Sequence, residues 1–505
     1  MEFFQQNLSG MLLGIEEAFL LANLGFVFIG VLLGTIVGVL PGIGPLTAIS
    51  LILPITFYMN PTSALILLAG VWYGTAYGGS TAAILVNVPG TSAGAVTAID
   101  GYPMAKKGRA GVALFTAMIS SFLGSTIGIL VMMLFSPIIV VYALKFGSAE
   151  YFSLMLLGLV AASTISGGSV AKSLAMTLIG IFFGIVGLDI YTASPRFTMG
   201  LLDLDDGISM VALVMGLFGL TEIIASAGRS VSTSSRFKIT LRSMLPTRDD
   251  LKKIVKPVLR ASGVGSFIGT LPGTGPTIAS FLSYALEKRM SKKPELMGTG
   301  EVQGVAASEA ANNAADQTAF IPTMTLGIPG SPTMALMIGA LVMHGITPGP
   351  NLMNEQPDLF WGLVMSFWIG NAMLLVLNIP LIGVWVRLLT VPYHMLYPII
   401  LVLMCVAIFS VSRNDFNLWV VAAFGAIGTL ARWSGLPTPP LLLGFVLGPL
   451  MEEHFRRAMA ISQGDFSTFI ERPISATIIA LTAAMFLFSF WRAIRKPKTA
   501  HQPGS

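Results

Sequence analysis

The sequence predicts an all-α polytopic membrane protein, with about twelve membrane segments arranged as an inverted structural repeat and helices broken, or re-entrant, at Pro-Gly motifs. Three observations carry this prediction. Of 505 residues, 54% are hydrophobic and only 10% charged, far below the quarter charged that soluble domains carry. Apolar stretches follow one another from Leu20 to Trp491, several of them about twenty residues and long enough to cross a bilayer. Two stretches are interrupted by nearly the same octapeptide, Gly38-Val-Leu-Pro-Gly-Ile-Gly-Pro45 and Gly269-Thr-Leu-Pro-Gly-Thr-Gly-Pro276. Each copy is followed, about fifty residues on, by a second interruption: Val88-Pro-Gly-Thr-Ser92, then Ile328-Pro-Gly-Ser-Pro332. Pro removes a backbone donor and clashes with the preceding turn, and Gly frays a helix. All four places therefore read as helix breaks.

Taken in order, residues 1–19 read as a short amphipathic segment. It lacks the basic start of a cleaved signal peptide, so the first apolar segment is expected to stay. Apolar segments follow near 20–40, 46–58, 63–87, 110–135, 137–146, 151–165, 169–188 and 208–228. Residues 1–228 form the first half. The stretch 229–260 carries Arg229, Arg236, Lys238, Arg242, Arg248, Lys252, Lys253, Lys256 and Arg260 against Asp249 and Asp250 alone, and reads as a basic cytoplasmic linker. The second half, 261–491, has segments near 261–271, 276–286, 304–328, 333–344, 359–378, 380–391, 395–411, 416–432, 437–450 and 473–491. The charged stretch Met451 to Arg472 reads as an interfacial loop, and 492–505 as a basic cytoplasmic tail. Trp361, Trp368, Trp385, Trp419 and Trp433 read as interface anchors, and Arg387, Arg413, Arg432, Lys145 and Lys172 as snorkelling side chains.

The halves can be registered. Pro41 pairs with Pro272 at an offset of 231, and Pro89 with Pro329 at an offset of 240. The difference is absorbed by an insertion around Lys288–Glu295, where the first half has only Tyr58–Pro61. Charge then sets orientation. Lys106, Lys107 and Arg109 make one loop of the first half basic, whereas its counterpart, Asn351 to Asp358, has only Glu355 and Asp358. The reverse holds for Lys288–Lys293 against the uncharged Tyr58–Pro61. Equivalent loops thus face opposite sides of the membrane, and the repeat is inverted.

Several chemistries are excluded or disfavoured. The single cysteine, Cys405, rules out intramolecular disulfides and cysteine metal clusters, and the four histidines show no ligand spacing. There is no phosphate-cradling Gly-Lys-Ser/Thr motif for ATP. The net charge of +5 is accounted for by cytoplasmic membrane faces and requires no nucleic acid. A membrane-embedded hydrolase would need a nucleophile–base pair or a metal cluster, which these counts disfavour. An anion channel built on the same breaks stays open.

Split apolar segments at matching positions of two halves point to a transporter's binding site. A broken helix leaves free N–H groups and a positive dipole end at one half and free carbonyls at the other, suited to a carboxylate and to a sodium ion respectively. The substrate-binding candidates are therefore Pro41, Gly42, Gly44, Pro89, Gly90, Thr91, Ser92, Pro272, Gly273, Thr274, Gly275, Pro329, Gly330 and Ser331. Thr47, Asn87, Thr277 and Thr333 are cation-binding candidates at the same breaks. A second group lies in Ser308-Glu-Ala-Ala-Asn-Asn-Ala-Ala-Asp-Gln-Thr318, where Glu309, Asn312, Asn313 and Asp316 share one helical face opposite alanines. Polar residues inside an apolar segment commonly line an ion path, so Asn312, Asn313 and Asp316 join the cation candidates. The competing reading is an interfacial amphipathic segment with its charges in water. No catalytic residue and no cofactor are expected, nor any metal beyond sodium, with sodium or a proton as coupling ion.

Leu40-Pro-Gly-Ile-Gly-Pro45, Asn87-Val-Pro-Gly90 with Asp100-Gly-Tyr-Pro-Met104, Leu271-Pro-Gly-Thr-Gly-Pro276, Glu309-Ala-Ala-Asn-Asn313 and Leu326-Gly-Ile-Pro-Gly330 resemble the large membrane subunit of the tripartite tricarboxylate transporters, the TctA type. The resemblance runs over essentially the whole chain. It implies the permease of a bacterial three-part uptake system in the inner (cytoplasmic) membrane. A small four-helix membrane subunit and a periplasmic solute-binding protein would be its partners, alongside membrane lipid. The implied substrates are carboxylates such as citrate, imported with sodium or protons. The Pro-Gly tips are the implied binding positions. Together these readings give an elevator-type carrier and leave a homodimer open.

Overall fold

The computed structural model describes residues 2–40, 43–165, 169–226, 239–271, 275–389, 391 and 393–495. Its elements are helices almost throughout. The first are α1 (Glu2–Ala18), α2 (Leu21–Val39), α3 (Pro45–Thr56), α4 (Pro61–Val86), α5 (Gly94–Met104), α6 (Ala110–Ala143), α7 (Ser148–Ile165) and α8 (Val170–Gly184). A short antiparallel hairpin, β1 (Gly187–Leu188) and β2 (Pro195–Arg196), follows. Next come α9 (Met210–Val214), α10 (Thr221–Ser226), α11 (Leu241–Met244), α12 (Arg248–Gly269), α13 (Gly275–Met290), α14 (Val302–Thr318), α15 (Phe320–Leu326) and α16 (Pro332–Met343). The last are α17 (Leu352–Glu355), α18 (Pro357–Asn378), α19 (Ile382–Leu388), α20 (Tyr393–Ser412), α21 (Phe416–Trp433), α22 (Pro439–Ile461), α23 (Thr468–Glu471) and α24 (Pro473–Arg495).

Among the described residues, five helical runs are long and apolar enough to cross a membrane: Leu21–Val39, Gly94–Ala143, Pro357–Asn378, Phe416–Trp433 and Pro473–Trp491. With the shorter apolar helices between them, they describe a multi-pass membrane protein. Local chemistry sets the ends. Asn60 caps α4, its Oδ1 accepting from the Thr62 N–H at 2.9 Å, with Pro61 in the first turn where no donor is needed. Thr247 and Asp250 cap α12 reciprocally.

Three sequence expectations are corrected. The segments 110–135 and 137–146 are one helix, α6, because Pro137 sits inside it without ending it. The stretch Met451–Arg472 is a loop only over 462–467: α22 runs on to Ile461, held by the i,i+4 ion pairs Glu452–Arg456 and Glu453–Arg457, and α23 follows. Trp361 and Trp385 are buried, not interface anchors, and Gly10 and Gly14 of α1 lie directly on Trp361. Trp419 and Trp433 are exposed.

The chain forms two compact units, residues 1–145 with 208–430, and residues 146–207 with 431–505. In the smaller unit α22 lies on α7 and α8, and α24 on α7. Gly180 faces the Leu441 carbonyl and Gly444 the Thr177 carbonyl, so these two backbones nearly touch. Asp189 anchors the hairpin by accepting from the N–H groups of Tyr191 and Thr192, and it pairs with Arg196 and Arg456.

The larger unit is organised by a glycine seam. Gly30, Gly34 and Gly38 of α2 interlock with Gly70, Gly74 and Gly78 of α4, where a Cβ on Gly34 would sit 2.2 Å from the Val71 carbonyl oxygen. Lipid tails are as apolar as leucine, so helices in a membrane gain from close van der Waals packing, and small residues four apart permit it. A second seam runs between α12 and α14: a Cβ on Gly265 would lie 2.4 Å from the Ala311 oxygen, and one on Gly269 would lie 2.5 Å from the Ala315 oxygen. Helix α6 closes on the far side of α14 through Gly124 and Gly128, and α18 lies on α4.

Candidate functional site

The helix breaks meet in pairs. Helix α2 stops at Leu40, directly before Pro41, and the chain re-enters a helix at Pro45. Helix α4 ends at Asn87, which adopts a left-handed conformation (φ 56°, ψ 31°) that Asn tolerates better than most residues. The two breaks touch: a Cβ on Gly44 would lie 3.1 Å from the Gly90 carbonyl, and one on Gly90 would lie 3.2 Å from the Gly38 carbonyl. In the second pair α15 ends at Gly327, also left-handed (φ 69°, ψ 23°), and its Cβ position is 2.9 Å from the Pro348 carbonyl. Only glycine fits both demands. Gly275, with φ +62°, lies against Ser331 and Gly330. Pro41, Gly42, Pro272, Gly273 and Thr274 lie outside the described residues.

The tip hydroxyls have structural duties. Thr91 Oγ1 accepts from the Gly94 N–H at 3.0 Å, and Ser331 Oγ from the Met334 N–H at 3.3 Å. Ser331 thereby caps α16, whereas Thr91 holds the first N–H of α5 from outside the helix, and each hydroxyl accepts with its oxygen and keeps a proton to donate. Exposure differs between the tips. Asn87 and Ser92 are exposed and Pro89, Gly90 and Thr91 half-buried, whereas Pro329, Gly330 and Ser331 are buried. Thr333 is buried on α16 and Thr277 half-buried on α13. Thr47 turns away, its hydroxyl 3.4 Å from the Phe218 carbonyl.

Helix α14 resolves the alternative left by its sequence. Every residue from Gly304 to Thr318 is buried, so the charges of this helix are not in water at an interface. Glu309 Oε1 accepts from Ser80 of α4 (2.7 Å) and Thr97 of α5, and its Oε2 from Ser121 of α6 (2.8 Å). One carboxylate thus ties α14 to three helices of the first half, and each hydroxyl helps to offset the cost of burying it. Asn313 donates to Ser121 (2.8 Å) and to the Glu309 carbonyl (3.0 Å). Asn312 and Asp316 are buried on the same helix, and Asp316 Oδ1 has no hydrogen-bond partner among the described residues. Beside this cluster a void too narrow for water is lined by Tyr77, Ser80, Thr81, Leu114, Ala117, Met118 and Ser121.

Sequence reasoning passed over one further residue. Asp100 of α5 is fully buried, and its Oδ1 accepts from three backbone N–H groups, Gly298 (2.9 Å), Gly300 (2.8 Å) and Glu301 (2.8 Å). Its Oδ2 accepts from the Tyr284 hydroxyl at 2.8 Å. A Cβ on Gly304 would collide with that carboxylate, so the small residue opening α14 makes room for it. The motif Asp100-Gly-Tyr-Pro103 was visible, but its partner loop lies about two hundred residues away. The glycine spacings of α2 and α4 were equally visible and name a packing seam directly. Among the described residues no group of His, Cys, Asp and Glu is arranged to hold a metal ion.

Comparison with known proteins matches the family described as "Tripartite tricarboxylate transporter TctA family" over residues 24–443. A 52.8 kDa protein of Agrobacterium vitis, encoded in the TAR-I ttuC′ 3′ region, is 47% identical over 494 residues, 97% of this chain and 98% of that protein. A second Agrobacterium vitis protein, from the TAR-II ttuC′ 3′ region, is 48% identical over 234 residues, 46% of this chain and 97% of that protein. No solved structure matches.

Proposed function

From the premise that this chain belongs to the tripartite tricarboxylate transporter TctA family, we propose that it is the permease subunit of a binding-protein-dependent secondary transporter, importing carboxylates on a sodium or proton gradient. The observation that carries this reading is the pair of matched helix breaks. Gly44 lies against Gly90, and Gly275, offset by 231, lies against Gly330, offset by 240. The left-handed terminators Asn87 and Gly327, and the hydroxyls of Thr91 and Ser331 that accept a backbone N–H three residues on, stand at the same offset of 240. The seams agree as well: Gly34 meets Val71 and Gly265 meets Ala311. These correspondences support two inverted halves, 1–228 and 261–491, joined by the basic cytoplasmic linker 229–260 and followed by the cytoplasmic tail 492–505.

In this reading about twelve segments lie in the bacterial inner membrane. Substrate carboxylates are held by N–H groups and hydroxyl protons at the Pro-Gly tips, and the unit bearing both tips moves as in an elevator. A small four-helix membrane subunit and a periplasmic solute-binding protein complete the system. The test is uptake of radiolabelled citrate and a panel of other di- and tricarboxylates into proteoliposomes holding all three parts. Uptake that requires the binding protein and a sodium or proton gradient supports the proposal. Carboxylate flux down its own gradient, indifferent to both, makes the protein a channel and overturns it.

A further inference from the structure

The loop that carries β1 and β2, residues 187–206, is braced at its base and apolar at its crest. Asp189 accepts from the N–H groups of Tyr191 and Thr192, and Arg196 donates to Glu452 of α22 at 2.7 Å. The Arg456 guanidinium lies 5.6 Å from the centre of the Tyr191 ring. From this base Met199, Leu202 and Ile190 project, 89%, 85% and 68% exposed. The backbone that presents them is strained. Ala193, Phe197 and Met199 adopt positive φ, at 53°, 56° and 54°, a region that side chains other than Asn and Asp seldom enter. Such strain persists only where the surroundings over-determine it, and it clusters at functional positions. Phe197 leans on Phe182 of α8 with ring centroids 5.0 Å apart, so the crest is held in place.

Charge assigns this crest to one side of the membrane. The sequence from Arg492 onward holds Arg495, Lys496 and Lys498 and no acidic residue, so by the positive-inside rule α24 ends in the cytoplasm. Its span, Pro473–Trp491, therefore starts on the outer side, next to Arg472, which pairs with Glu150 of α7. The end of α22, on which the hairpin rests, lies on that side too. Its arginines are already matched, Arg196 and Arg456 with Asp189 and Glu452, and Arg457 with Glu453. Exposed Asp203 and Asp206, just after Leu202, leave the crest with an acidic rim.

We propose that Met199, Leu202 and Ile190 form the docking surface for the soluble solute-binding protein of the carrier, which meets them with an apolar socket rimmed by lysines or arginines. That partner's identity rests on the carrier reading. Interface cores are built from apolar anchors inside a polar rim, and an anchor already rigid before binding loses little freedom on binding. A lipid surface fits the loop less well. Interfacial segments are rich in Lys, Arg and Trp, whereas 187–206 has no Lys, no Trp and a single Arg that is paired, and anionic headgroups repel its carboxylates.

The test is binding of the carrier's purified solute-binding protein, with and without carboxylate, to this chain and the small subunit in nanodiscs, followed by biolayer interferometry. Leu202→Ser and Met199→Asn should each weaken it about tenfold. Asn tolerates a left-handed backbone, so a loss at position 199 is not misfolding. Asp206→Lys should slow association and lessen its salt dependence. Wild-type affinity in both Leu202→Ser and Met199→Asn overturns the surface, as does absence of binding to the wild type. Uptake judges the carrier separately: uptake that needs the binding protein yet ignores both variants removes the docking surface alone. A nitroxide on Ile190→Cys, in a Cys405→Ser background, distinguishes the other occupants. Relaxation by lipid-dissolved oxygen rather than by a water-soluble nickel complex would place the loop in the bilayer. Dipolar broadening without the binding protein would place a second copy on it, and either result overturns the proposal.

Discussion

Replacing Gly34 by alanine tests what holds the larger unit together. The new Cβ would sit 2.2 Å from the Val71 carbonyl oxygen and 2.8 Å from the Val71 Cα. A carbon–oxygen contact settles near 3.3–3.6 Å, so α2 and α4 must part by about 1 Å at the middle of their seam. The glycines on either side, Gly30 and Gly38, are just as tight, at 2.5 Å from the Leu67 and Thr75 oxygens, so the helices cannot tilt to absorb the strain locally. Overpacking of this kind costs about 1–3 kcal/mol. Alanine returns up to about 1 kcal/mol through its better helix propensity. The net loss is on the order of 1–2 kcal/mol, or about 5- to 30-fold in the folded-to-unfolded ratio. Gly25 supplies the control, because on the same helix nothing lies within 4 Å of its Cβ position. Gly25→Ala is expected to be neutral or stabilising. The assay is reversible unfolding in mixed micelles titrated with sodium dodecyl sulfate, read by circular dichroism. Equal midpoints for Gly34→Ala and Gly25→Ala would refute the close-packed seam. Gly265→Ala should fall with Gly34→Ala.

Asp100→Ala strips the acceptor from three backbone N–H groups and the Tyr284 hydroxyl. At about 1–3 kcal/mol for each buried group left unsatisfied, the protein should not elute as a single species from size exclusion. Asp100→Asn keeps one carbonyl oxygen and should be milder, and parity of both with the wild type would remove the latch. Ser331→Ala should cost about 0.5–2 kcal/mol through the lost cap, and Ser331→Asn much less. Identical unfolding midpoints for the two would mean that the cap contributes nothing. In the smaller unit, N–H bonds from Thr192 and Tyr191, together with Arg456, pull the Asp189 carboxyl down to about 2. A depressed folded-state pKa contributes stability that is present above the unfolded value, about 3.9, and lost as pH falls toward 2. Pepsin cleavage within residues 187–206 should therefore rise between pH 4 and pH 2, and Asp189→Asn should be cleaved readily at both; matching profiles for the two proteins would contradict the anchor.

Much of this protein was legible in order along the chain, because the relevant physics is local. Apolar runs interrupted by Pro and Gly set the helices and their breaks, since missing donors and frayed turns act within a few residues. The two offsets, 231 and 240, then placed Gly44 and Gly275, Asn87 and Gly327, and Thr91 and Ser331 at equivalent positions. The polar face of α14 was visible from its spacing alone. Its environment was not. Burial is a property of what surrounds a helix, and the same sequence could have lain in water beside Lys293. Only the packing of α4, α5, α6, α12 and α13 around it decided that Glu309 is shared by three hydroxyls and that Asp316 is left without one. Asp100 shows the same limit, because its three N–H partners are contributed by a loop about two hundred residues away. Pro137 and the charged end of α22 show it for helix ends. A proline reads as a stop and a charge run as a loop until neighbouring helices and i,i+4 ion pairs hold the helix past them. Sequence periodicity fixes which residues share a face, and tertiary packing fixes whether that face meets lipid, water or protein, because desolvation depends on neighbours that the local chain does not name.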